Sequence, residues 1–279
     1  MINLTDELRA TSCGSGSGED VEPRAGGVCG GALVFGGACL ALGLIGLVRG
    51  DFTLVWHPMP DDVPGRSILA YLVALLFVLG GCGVTPPATR RWAGGVLAAL
   101  FLIFVLTWGR RIIAAPLMIG TWLGTAEQLF LALAGIVLTL SPKALSGRAL
   151  LAASFGFGGC EVIFGLGHFL SLSETVAMTP AWAPGGPRFW ALATGGAHIA
   201  AGLALITGIG AVLAARLLAL MFIAFGALVW IPQVAAEPTT WFGWCGNVIN
   251  TALLGAVLVI GDAMAWRRCV FLNRASAEA

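Results

Sequence analysis

Glu161, His198 and Asn250 are the residues whose types and spacing could do chemistry, because each stands inside an apolar run long enough to cross a bilayer. Glu161 lies about nine residues in from the outer end of the fifth such run. His198 and Asn250 lie about nine in from the starts of the sixth and eighth, so at 1.5 Å of rise per residue all three reach a similar depth. A charge at the bilayer centre costs about 2.5–3.5 kcal/mol even on insertion scales, so Glu161 is expected to be neutral, paired or facing water. A hydrogen bond to His198 would answer that cost. Three uses stay open: a buried pair that fixes helix packing, polar anchors for the headgroup of a quinone, lipid or small metabolite in an apolar pocket, and a path for protons or a small solute. His168, Asn247, Trp244 and Trp182 complete the candidate set on the outer side. His168 follows Glu161 by two helical turns but about 10 Å nearer the surface, which suits it poorly as a second haem ligand beside His198. One Glu, one His and one Asn are too few strong ligands for a tight transition-metal site. No Ser-His-Asp, phosphate-loop or dinucleotide-binding pattern occurs on a suitable turn, so no catalytic residue is assigned and the sequence requires no cofactor.

The elements that must position these residues follow from composition. With 58% hydrophobic and 10% charged residues, a chain of 279 residues cannot be a soluble domain. Apolar runs at about 29–48, 67–85, 92–109, 116–140, 149–170, 189–210, 212–231 and 241–265 predict an all-α membrane protein of eight transmembrane helices. Pro, Gly and charge end helices at 86–92, 141–148 and 231–238, and the junction near 208–211 is the shortest. The polar, Gly/Ser-rich residues 1–28 read as a flexible tail, 141–148 as a linker and 266–279 as a C-terminal tail. Seven cysteines include no CxxC pair, which suits buried thiols. A formal net charge of +1 and a single lysine, Lys143, exclude a nucleic-acid footprint.

The two halves, 29–140 and 149–265, share a register. Residues 35–140 against 157–262, offset by 122, give 20 identities in 106 without a gap, where this composition gives about ten by chance. The matches include Phe35-Gly36-Gly37 with Phe157-Gly158-Gly159, Pro58 with Pro180, Arg66 with Arg188, Trp108 with Trp230, Pro116 with Pro238 and Trp122 with Trp244. We read a tandem duplication of a four-helix unit. The first half offers Cys39, Leu76 and Gln128 opposite Glu161, His198 and Asn250, with Glu127 beside Gln128.

Ten Lys and Arg residues fall on one set of loops and five on the other, which expects both termini in the cytoplasm of a bacterial inner membrane. An even number of helices per unit makes the repeats parallel rather than inverted. The outer loops at 49–66 and 171–188 are Pro-rich, with Trp56, Met59, Met178, Trp182 and Trp190 suited to the headgroup level. They are either simple interfacial connections or lids over a cavity.

Residues 155–208, FGFGGCEVIFGLGHFLSLSETVAMTPAWAPGGPRFWALATGGAHIAAGLALITG, resemble the DoxX family of membrane proteins. The likeness lies in a glycine-spaced helix ending near a His or Phe, a Pro-rich loop ending in Pro187-Arg188-Phe189, and a helix reading ATGG-x-H-I-x-x-G. It covers residues 150–262, and the first half only through its register with the second. The resemblance implies two fused four-helix bundles. It also implies association with quinone-linked or oxidative-stress redox systems, as a membrane accessory or subunit without settled catalysis. A membrane redox complex, a second copy of the chain and the bilayer are the partners this leaves open, and quinone or lipid the bound molecules.

Overall fold

The computed structural model describes residues 29–277, which are helical with no strand among them. The elements are α1 (Cys29–Arg49), α2 (Arg66–Gly83), α3 (Arg90–Ala114), α4 (Ile119–Thr139), the single turn α5 (Pro142–Leu145), α6 (Arg148–Leu170), α7 (Leu172–Met178), α8 (Pro187–Thr207), α9 (Ala211–Phe225), α10 (Ile231–Ala236) and α11 (Trp241–Ala277). Eight segments among the described residues are long and apolar enough to span a membrane: α1 to α4, α6, α8, the stretch Ala211–Ala236, and Trp241–Asn273. Large apolar side chains such as Leu33, Ile68, Leu106, Phe155 and Leu220 stand exposed on these helices, as a lipid-facing surface requires. The chain is a multi-pass helical membrane protein.

Three boundaries differ from the sequence expectation. The seventh span does not stop near residue 231: a π-helical segment, Gly226–Trp230, links α9 to α10 and puts Pro232 in the first turn of α10, where its missing N–H is tolerated. The residues read as a C-terminal tail continue α11 as far as Ala277, since no Gly or Pro after Gly261 interrupts it. Helix α3 runs past Gly109 to Ala114, with the Arg111 guanidinium 4.8 Å from the centre of the Trp108 ring. The short junction at 208–211 is sharp, because Gly208 and Gly210 adopt φ of 76° and 66°, a left-handed backbone that L side chains resist. The expected tail at 1–28 lies outside the described residues.

Each helix packs on its neighbours around a closed circuit. Helix α1 meets α2 and α11, α2 meets α3, α3 meets α4, α4 meets α6, α6 meets α8, α8 meets α9 and α9 meets α11, while α4 and α11 also touch each other. Small residues set the tightest crossings. A Cβ placed on Gly158 would lie 2.5 Å from the Gly202 carbonyl oxygen, and one on Gly36 would lie 2.5 Å from that of Gly81. Backbones can approach this closely only where side chains are missing.

Candidate functional site

The local sequence of α6 and α8 explains why Glu161 and His198 meet. Gly158 and Gly165 flank Glu161 at one helical turn on either side, and they approach the Gly202 and Gly195 carbonyls of α8. Those two glycines in turn flank His198. The glycine pairs draw the helices together above and below, leaving one polar side chain from each to fill the gap. His198 Nδ1 lies 2.6 Å from Glu161 Oε2, with the Glu161 side chain fully buried and His198 nearly so. One proton occupies that contact, whether it sits on the imidazole or on the carboxyl. The second carboxyl oxygen, Glu161 Oε1, is buried without a hydrogen-bond partner.

His168 joins this pair more closely than its position along α6 suggests. Its ring centre is 5.1 Å from that of His198. Helical side chains lean toward the N-terminus of their own helix, so His168 reaches back along α6 toward Glu161 and shortens the axial gap. Its Nδ1 is 3.1 Å from the Ala191 carbonyl and 3.0 Å from Thr194 Oγ1. A carbonyl only accepts, so His168 Nδ1 carries the proton in that bond. Thr194 Oγ1 in turn donates to the Trp190 carbonyl at 2.7 Å. Polar groups therefore run in file from mid-helix Glu161 through His198 and His168 to the first turns of α8. Around them stand Phe164, Phe222 and Phe225, with ring centres 5.9, 6.0 and 6.1 Å from His198. The two imidazoles lie too close together to admit an iron porphyrin between them. Among the described residues no group of three or more His, Cys, Asp or Glu could hold a metal ion.

Asn250 makes no hydrogen bond to the pair among the described residues. Its Nδ2 donates to the Phe222 carbonyl of α9 at 2.9 Å, and Phe222 is the residue whose ring faces His198. Asn247 approaches Gly226, the first residue of the π-helical segment, so both asparagines serve the place where α9 departs from regular geometry. Trp244 turns outward and donates from its indole to the Pro238 carbonyl at 3.1 Å, and Trp182 is largely exposed. Among the described residues neither has a hydrogen bond or ring contact with Glu161, His198 or His168.

In the first half, Gln128 is fully buried, and both polar atoms of its amide lack partners. Glu127 faces the Trp56 indole. Sequence reasoning missed His57. The first part of its loop folds inward, burying Phe52, Thr53, Trp56 and His57, while Pro60, Asp61, Asp62, Pro64 and Gly65 stay exposed. The His57 ring stacks on Phe104 at 3.9 Å and lies parallel to Phe77 at 5.3 Å. Burial among these rings lowers its pKa to about 3, so His57 is neutral. Arg66 closes the loop by pairing with Asp51 and covering the Phe52 ring. The run of Leu, Val and Trp just before His57 is the only sequence sign that this loop goes inside. The loop at 171–188 behaves differently, since α7 buries no residue.

Compared with protein-family models, with curated proteins and with solved structures, the chain gives no match in any of the three.

Proposed function

We propose that the chain is a tandem of two DoxX-like four-helix units inserted in the same orientation, and that the second unit holds the headgroup of a hydrophobic small molecule through Glu161 and His198. The duplication is supported by matching helix pairs: α1 with α2 as α6 with α8, α3 with α4 as α9 with α11, and α4 with α6 as α11 with α1. It is also supported by details at the 122-residue offset. Trp122 donates to the Pro116 carbonyl as Trp244 donates to that of Pro238, and the Trp108 indole covers Gly124 as that of Trp230 covers Gly246. The second helices slip by one residue from that register. Gly81 stands where Gly202 does against the first helix, so Phe77 rather than the exposed Leu76 corresponds to His198.

The observation that carries the binding reading is the orphaned Glu161 Oε1. A buried oxygen without a partner costs about 1–3 kcal/mol, more if charged, and a ligand hydroxyl or ring carbonyl presented beside it would remove the cost. A carbonyl ligand would need the protonated carboxyl as donor, while a hydroxyl could donate to the carboxylate. The aromatic surround suits a flat ring such as a quinone, and both partners would come from the bilayer. In this reading the chain catalyses nothing itself and serves a quinone-linked or oxidative-stress redox system of a bacterial inner membrane, with both termini cytoplasmic. The test is the quinone and lipid content of protein purified in mild detergent, read by mass spectrometry. Wild-type protein should carry a stoichiometric quinone or other ring-bearing lipid that Glu161→Gln loses while staying folded. Equal content in both proteins, or none in the wild type, overturns the reading.

A second reading rests on His168. The file Glu161, His198, His168, Thr194 is arranged as a proton path would be, entering from the outer ends of α6 and α8. In liposomes with an internal pH dye, wild-type protein would then pass protons under an imposed gradient and His168→Phe would not.

A further inference from the structure

Opposite the outer loops, the turn at 208–210 and the last turns of α11 enclose a cleft of about 580 Å³. Its lining is largely apolar, with Leu213, Met264, Phe271 and Leu272 among its residues. Leu213 and Phe271 are 62% and 73% exposed, so this lining opens to the side rather than into the bundle. Arg267 and Arg268 also line it, on the same helix as Met264 and Phe271, and no carboxylate among the described residues lines the cleft. Neither arginine belongs to an ion pair among the described residues. Asp262, the nearest acid on α11, does not neutralise them, because it faces Arg216 and the Gly31 amide in a separate small cavity. The floor adds to this positive field. Helix α9 begins here after Gly210, which has no side chain to cap it, so the first-turn N–H groups of Ala211, Val212 and Leu213 have no helical acceptor.

We propose that this cleft binds one anionic phospholipid, the phosphate between the two guanidinium groups and the start of α9, and the acyl chains along Leu213 and Phe271. Size, charge and position agree on this occupant. The volume falls within the range of ligand clefts, no carboxylate among the described residues pairs with the two cations, and the apolar lining continues onto the lipid-facing side of α9. Arginine suits the role because its fork meets phosphate with two parallel hydrogen bonds.

The test uses the full chain in nanodiscs of phosphatidylcholine doped with phosphatidylglycerol, followed by native mass spectrometry and thermal unfolding. Wild-type protein should retain one phosphatidylglycerol in preference to phosphatidylcholine and unfold at higher temperature as the anionic fraction rises. Arg267→Gln with Arg268→Gln should lower that preference by a factor on the order of thirty, about fivefold for each charge removed near the membrane surface. The wild-type preference should also shrink in high salt, a measurement that stands even if the double variant fails to fold. Equal retention of the two lipids by wild-type protein overturns the proposal. So does an unchanged preference in the double variant, or an equal stabilisation by inorganic phosphate in detergent, which would make the site one for free anions.

Discussion

Removing His198 is the sharpest probe of the intramembrane pair. In His198→Ala, Glu161 loses the partner of Oε2 at 2.6 Å while Oε1 already has none, so a fully buried carboxyl is left with neither oxygen satisfied. Breaking one side of a buried ionic pair costs about 3–5 kcal/mol, much of it the desolvated group left behind. Glu161→Leu removes the same bond but strands only one imidazole nitrogen, a loss of about 1–3 kcal/mol. The double substitution Glu161→Leu with His198→Ala closes the cycle: it strands no polar group and leaves an apolar side chain beside Phe164, Phe222 and Phe225, so it should fall within about 1–2 kcal/mol of wild type on either side. The cycle therefore predicts a coupling energy of at least about 2 kcal/mol, large against the roughly 0.6 kcal/mol average for hydrogen bonds between membrane helices. Reversible unfolding in mixed micelles, following helical circular dichroism against the fraction of denaturing detergent, measures it. Additive single effects would mean that Glu161 and His198 do not share a proton in the folded protein.

Other consequences can be checked with the same assay. Gly202→Val should destabilise strongly, because its Cβ would lie 2.6 Å from the Gly158 carbonyl, whereas Gly159→Ala meets nothing within 4 Å and should be nearly silent. Gln128→Leu should raise stability by about 1–3 kcal/mol, since it removes a fully buried amide whose two polar atoms have no partners; a loss would reveal a partner for that amide. His57 makes the fold sensitive to acid. Its folded pKa of about 3 is below the ordinary 6.5, so the unfolded state takes up the proton first and stability falls as pH drops from 6.5 toward 3. The slope is at most about 1.4 kcal/mol per pH unit, and His57→Phe should remove that part of it. For topology, a single cysteine at Ser173 should react with an impermeant maleimide in intact cells and one at Thr89 should not; the reverse pattern would invert the proposed orientation.

The sequence announced what depends on long averages and hid what depends on a single contact. Eight spans were legible because each is eighteen residues or more of apolar chain, and their boundaries fell within a few residues of the helix ends except where a local device intervened. The π-helical segment was one such device, since nothing in Gly226-Ala-Leu-Val-Trp230 distinguishes it from ordinary helix until Asn250 takes the Phe222 carbonyl and Pro232 follows. Glu161 and His198 were legible as a pair because an ionisable group at mid-membrane demands a partner. Counting rise alone misplaces His168, because it ignores the lean of helical side chains. The same count gives Asn250 a level in the membrane but not a partner, because it leaves the rotation about α11 free, and its amide bonds the Phe222 carbonyl.

The loops at 49–66 and 171–188 carry the strongest asymmetry between the halves, and it bears on where a ligand could enter. In the first half Trp56 reaches across to the rings of Trp230 and Phe242 at 6.0 and 5.3 Å, while His57 stacks on Phe104 and lies beside Phe77. In the proposed duplication Phe77 would take the place that His198 holds in the second half, and the first loop would then plug the region corresponding to Glu161 with its own imidazole. The second loop places nothing of the kind over His198, and Thr179, at the position matching His57, remains partly exposed. A loop that fills its own unit leaves no room for a guest, whereas one lying outside can be passed. On this argument any small molecule held by the chain enters beside α7 and α8. Cross-linking α7 to the first two turns of α8 through a pair of introduced cysteines should slow exchange of a bound ligand, while a comparable link within residues 50–65 should leave it unchanged. Equal exchange rates in the two cross-linked proteins would place the entrance elsewhere.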